Sequence, residues 1–177
     1  SAAAEPYLRN GLAILEDIHA TNDIVFGSLL NALGMSLRHQ DRFVEAESFG
    51  RQAVTAQRRL LGDAHPGTSH ALYELALTFC EAGKLEQAQT IGLEAWQLSQ
   101  KLHGATNRAV LVVLSLVACV AFQRGDIAGV DALLADAPLR AIAPTEGRML
   151  FGGECERFWL VRTLTALAWR HRAHRGR

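Results

Sequence analysis

Apolar residues along the chain recur at spacings of three, four and seven, the signature of helices with one buried face. Sliding the sequence over itself gives one shift that stands out, 42 residues. At that shift "DRFVEA" (41–46) lands on "GKLEQA" (83–88), which lands on "GDIAGV" (125–130). Upstream of these turns, Leu30, Leu33 and Gly34 align with Leu72, Leu75 and Ala76, then with Leu114, Val117 and Ala118. Two apolar residues and a small one describe a helix face with a site where a neighbouring helix comes close. Downstream, Phe43, Ala46, Phe49, Ala53 and Leu60 match Leu85, Ala88, Ile91, Ala95 and Leu102, a second amphipathic helix. Each unit is therefore a helical hairpin. One hairpin cannot bury its apolar face alone, so successive hairpins must stack.

The stretch "GDAHPG" (62–67) holds a histidine beside two glycines, and reads as the connection between two hairpins. Gly62 ends a helix in a conformation that costs glycine little, and Pro66 forbids helix continuation from His65. Asp63 and Ser69 are both helix-boundary residue types and are the candidate caps. The next connection, "HGATNRA" (103–109), places Gly104 under Gly62 and Asn107 under His65.

A hairpin with a small residue at the close-packing site and alanines in its return helix resembles the tetratricopeptide repeat. The longer period, with "LGDAHP" and "LYELALTFCEAGKLEQAQTI", resembles the kinesin-light-chain type of that repeat. The residues carrying the likeness are Leu72, Leu75, Ala76, Phe79, Gly83, Leu85, Ala88 and Ala95 with Gly62, His65 and Pro66, and in the preceding repeat Leu30, Leu33, Gly34, Leu37, Ala46 and Ala53. The resemblance implies an all-α fold, a right-handed α-solenoid of stacked antiparallel hairpins. It divides a single domain over 1–177 into a return helix of a truncated repeat (1–20), repeats at 24–61 and 66–103, a divergent repeat at 108–137, a loop at 138–153 and a terminal helix at 154–174. The opening "AAAEPYLRNGLAIL" matches a return helix, so the chain is expected to start in mid-repeat, as a piece of a longer protein. The terminal helix, with Phe158, Trp159, Val161, Leu164 and Leu167, is apolar enough to cap the stack or to dock elsewhere.

Composition narrows the function. Hydrophobic residues are 49% and charged residues 20%, a folded composition. Eighteen Lys+Arg balance eighteen Asp+Glu, which argues against the positive field of a nucleic-acid binder. The basic tail from Arg170 to Arg177 reads as a solvated helix end. No apolar stretch reaches the roughly 20 residues of a membrane span, and the start lacks a secretion signal. Cys80, Cys119 and Cys155 are far apart without C-x-x-C spacing, fitting reduced thiols and a cytoplasmic location.

His65 and His70 are the nearest approach to a metal pair, but a zinc site needs three or four ligands, and none other clusters there. No metal or cofactor is expected. Walker-type, G-x-S-x-G, G-x-G-x-x-G and H-E-x-x-H patterns do not occur. The chain reads as a non-enzyme, with a thiol enzyme built on Cys80 or Cys119 as the weakest alternative.

In the family it resembles, the first helix of each hairpin lines a concave groove. That implies a partner-binding set of Asn31, Met35, Arg38, His70, Tyr73, Glu74, Leu77, Glu81 and Phe122. The paired asparagines common in the kinesin-light-chain type are reduced to Asn31, with Ala32 following it. Of the basic and amide residues that clamp a terminal carboxylate in some relatives, only Arg38 has a counterpart. The mixture suits an apolar peptide or a partner helix. The expected function is a protein-interaction module, part of a larger bacterial signalling or regulatory protein. The second reading is a regulatory arm docked on a catalytic domain of the same chain. Either way the expected partner is a protein or peptide. On the groove reading, Tyr73→Ala or Arg38→Ala weakens capture while the fold survives.

Overall fold

The computed structural model of the chain describes residues 2–105 and 107–135. The loop and terminal helix expected at 138–153 and 154–174, and the basic tail, lie outside the described residues. Among the described residues a 3-10 turn at Ala2–Ala4 is followed by seven helices: α1 (Glu5–Asp17), α2 (Ile24–Arg38), α3 (Phe43–Leu61), α4 (Pro66–Glu81), α5 (Leu85–His103), α6 (Arg108–Gln123) and α7 (Ile127–Ala135). Among the described residues there is no strand. The chain divides into two compact units, Ser1–Leu102 and His103–Arg177.

The 42-residue period reappears in the helix boundaries. The first helices α2, α4 and α6 are each capped by the residue just before them: Asp23 accepts from the Val25 N–H at 2.8 Å, His65 Nδ1 from Gly67 at 3.0 Å, and Asn107 Oδ1 from Ala109 at 2.8 Å. Residues 23, 65 and 107 are one shift apart, so the cap at the second site is His65. This corrects the expectation for Asp63 and Ser69: Asp63 is an exposed partner of Arg58 at 3.4 Å, and Ser69 is buried with its hydroxyl donating to the Ala95 carbonyl at 3.4 Å. An imidazole acceptor does for the second repeat what a carboxylate or amide does in the others.

Each hairpin turns on a left-handed residue. Asp41 has φ 58°, and one and two shifts later Gly83 and Gly125 have 74° and 77°. The following amide bonds back across the turn in all three, Arg42 to Leu37, Lys84 to Phe79 and Asp126 to Ala121, at 3.1, 2.9 and 3.0 Å, which satisfies carbonyls the helix ends would otherwise orphan. A side chain at φ above zero is strained, though Asp bears it better than most. Asp41→Gly is therefore expected to raise stability by roughly 0.5–1 kcal/mol; an unchanged or lowered urea midpoint would show that Asp41 gains more at this turn than its backbone loses.

In the first compact unit the core is a run of leucines against alanines. Leu30, Leu33 and Leu37 of α2 are buried with Leu12 of α1 and Ala46, Ala53 and Ala56 of α3. At Gly34 an added Cβ would lie 3.4 Å from the Ala46 carbonyl and the Gly50 nitrogen, so only the smallest side chains fit. The matching positions hold Ala76 and Ala118. A Cβ on Gly50 would meet the Leu75 side chain at 3.0 Å, so this glycine of α3 makes room for a leucine of α4. Stability here comes mainly from apolar area shared between adjacent helices, at about 25 cal/mol per Å2. In the second unit Ala121 of α6 and Val130 of α7 are buried together, with Phe122 and Leu133 packed against them.

An ionic cluster ties the start of α1 to the hairpin turn after α2. The Glu5 carboxylate accepts from Arg9 at 2.8 Å, from Gln40 at 3.1 Å and from Arg42 at 2.7 Å, and Arg42 also pairs with Glu45 at 2.7 Å. The hydrogen bonds from Arg9 and Gln40, then Arg42, hold the Glu5 carboxyl down from 4.5 to about 2. Arg42 lowers Glu45 in the same way. Because Glu5 is more acidic folded than unfolded, its contribution is complete above pH 4.5 and is lost as the pH falls towards 2. Glu5→Gln is expected to be less stable at neutral pH and to converge on the unmodified protein across that window. Parallel melting curves down to pH 2 would show that the cluster carries no weight.

Candidate functional site

Helical spacing sets His70, Tyr73, Glu74, Leu77 and Glu81 on one face of α4, and Asn31, Met35 and Arg38 on one face of α2. The structure links these two faces directly. Arg38 reaches across with both terminal nitrogens, Nη2 to Glu74 Oε2 at 3.0 Å and Nη1 to Glu81 Oε1 at 2.8 Å. Asn31 Nδ2 lies 3.2 Å from His70 Nδ1 and 3.9 Å from Met35 Sδ. On the other side of the ring His70 Nε2 faces Glu74 Oε1 at 3.6 Å. Eight of the nine residues expected in the groove therefore sit on these two helices. Phe122 belongs to the second compact unit, half-buried beside Ala121.

Burial divides the eight by role. The Arg38 side chain is 7% exposed and that of Glu74 10%, so this is an ion pair taken out of water. Arg38 Nε is buried with no hydrogen-bond partner among the described residues, an added cost. Such a pair adds little net stability over a well-packed apolar one, but breaking it by removing one partner is costly. Glu81, at 31%, and His70, at 58%, reach solvent. Met35, Tyr73 and Leu77 are half-buried between them. Arg38 is thus committed inside the protein, and removing it strands Glu74. The expectation that Arg38→Ala leaves the fold untouched gives way to that geometry.

The histidines have assigned partners: His65 caps α4 and His70 bonds Asn31. Among the described residues no group of three or more His, Cys, Asp or Glu could hold a metal. Cys80 and Cys119 are buried thiols, Cys119 accepting from Gln123 at 3.4 Å. A shallow pocket of about 320 Å3 between α2 and α3 is lined by Phe26, Leu30, Gln52 and Arg59 among others, and includes none of the groove residues. Among the described residues no helix is long and apolar enough to cross a membrane.

Antiparallel hairpins with a buried leucine and alanine seam, repeated every 42 residues, give the fold of a tetratricopeptide repeat solenoid, and residues 26–95 match the tetratricopeptide repeat family. Within that class the fold is similar to two solved structures of kinesin-light-chain type. The structure of BtubC (BKLC) from P. vanneervenii superposes with a TM-score of 0.73 at 18% identity, over 86% of this chain. This chain spans 59% of the length of that protein. The nearly identical TPR-like repeats attributed to a kinesin light chain of Podosopora anserina superpose with a TM-score of 0.74 at 17% identity, over 98% of this chain and 80% of that one. Identities this low speak for the fold. A search of curated proteins finds no match. Tetratricopeptide repeats are in general protein-interaction scaffolds and typically not enzymes.

Proposed function

We propose that the chain is an interaction module that receives a peptide or partner helix on the face shared by α2 and α4, within a larger signalling or regulatory protein of bacterial origin. The observation that carries this is the division of labour on that face. Leu30, Leu33, Leu72 and Leu75 are consumed by the core, while Met35, Tyr73 and Leu77 remain half-buried beside a polar network already held in place. Half-exposed apolar side chains around fixed polar groups are what a binding surface needs, because little side-chain entropy is left to lose on capture.

Tyr73 is the test residue, since an aromatic in this setting is the commonest kind of energetic anchor. A displayed random-peptide library selected on the chain is expected to yield binders whose affinity falls about tenfold or more in Tyr73→Ala, with the helical melting curve preserved. Binders indifferent to Tyr73→Ala would place capture elsewhere and remove this reading.

A further inference from the structure

The charge on this face points to the chemistry of what it receives. Glu74 and Glu81 bring two carboxylates against the single guanidinium of Arg38, so acidic groups outnumber the guanidinium in the α2/α4 network by one. Arg38 is committed inside the protein, with Nη1 and Nη2 bonded to Glu81 and Glu74 and its side chain only 7% exposed. Each of these carboxylates spends one oxygen on Arg38, and Glu81 is the more exposed of the two. Glu81 shares the α4 face with half-buried Tyr73 and Leu77, is 31% exposed, and among the described residues bonds Arg38 through Oε1, leaving Oε2 for a further donor.

Resting on the proposed function above, we propose that the partner segment is basic and apolar: a Lys or Arg side chain set against Glu81, with apolar neighbours over Met35 and Leu77. A carboxylate brought to the same place would face two carboxylates that already share one guanidinium. A lysine or arginine would complete the neutralisation, and its aliphatic stem would cover the apolar patch while its charged end reached Glu81. The complementarity governs selectivity more than total affinity, since like charge at a half-buried site is penalised strongly.

The random-peptide selection tests this directly. The Tyr73-dependent binders are expected to carry a lysine or arginine among apolar residues. Replacing that residue by glutamate in the best binder should cost about tenfold or more in affinity. On the unmodified protein, affinity should fall as salt is raised. Glu81→Gln, which keeps a hydrogen-bonding side chain for Arg38, should erase most of the discrimination between the basic and acidic versions. Acidic or uncharged binders that still require Tyr73 would overturn the charge assignment and leave the groove standing. Failure to obtain any Tyr73-dependent binder would overturn both.

Discussion

Replacing Arg38 by alanine is expected to destabilise the protein by about 3–5 kcal/mol, the cost of leaving a buried carboxylate without its partner. Glu74 is only 10% exposed on its side chain, and its other neighbour, His70, stands at 3.6 Å, beyond hydrogen-bond reach. Glu81 can turn to water when Arg38 goes, so the penalty falls on Glu74. The same argument predicts recovery: Arg38→Met combined with Glu74→Leu removes both buried charges and should restore most of the loss, because a well-packed apolar pair is often no worse than a buried ion pair. Urea unfolding of the two single variants and the double variant measures the coupling. A single variant within about 0.5 kcal/mol of the unmodified protein would mean that water reaches Glu74 freely.

The second large effect is expected at Phe79. Its side chain is fully buried at the end of α4, and the Arg51 guanidinium of α3 lies over its ring at 5.1 Å from the centroid. Phe79→Ala removes a ring that the surrounding helices cannot close over, at a cost of about 3–5 kcal/mol. Phe79→Leu keeps most of the volume and forfeits the cation–π contact, so its cost should stay below about 2 kcal/mol. Equal losses for the two variants would assign the stabilisation to the aromatic contact with Arg51 and not to filled volume.

The fold was legible because its physics is periodic. A leucine at position 30, 72 or 114 must find a neighbour, and a small residue at 34, 76 or 118 must admit one, so the spacing reports the hairpin and its stacking together. The turns were legible for the same reason, since Gly83 and Gly125 mark the backbone conformation that Asp41 also adopts. The cap at His65 was hidden by residue type. Histidine is an uncommon cap, and only its alignment with Asp23 and Asn107 gives it away.

The candidate site was legible as a set of positions on helix faces, but not as a network. Arg38 meets Glu74 and Glu81 across separations of 36 and 43 residues, close to one repeat but not equal to it. No local pattern announces such a pair, and a basic residue on a groove-facing helix looks like a ligand contact until its partners are seen. Charge balance over the whole chain conceals the same fact: eighteen positive and eighteen negative residues sum to zero, while the α2/α4 network sets two carboxylates against one guanidinium.

The most direct test of the account is amide hydrogen exchange on the chain with and without a saturating peptide from the library selection. Binding at the α2/α4 face predicts slowed exchange concentrated in residues 24–38 and 66–81, with 43–61 and 85–103 little changed. Protection confined to 43–61 and 85–103 would put the partner on the return helices and contradict the assignment.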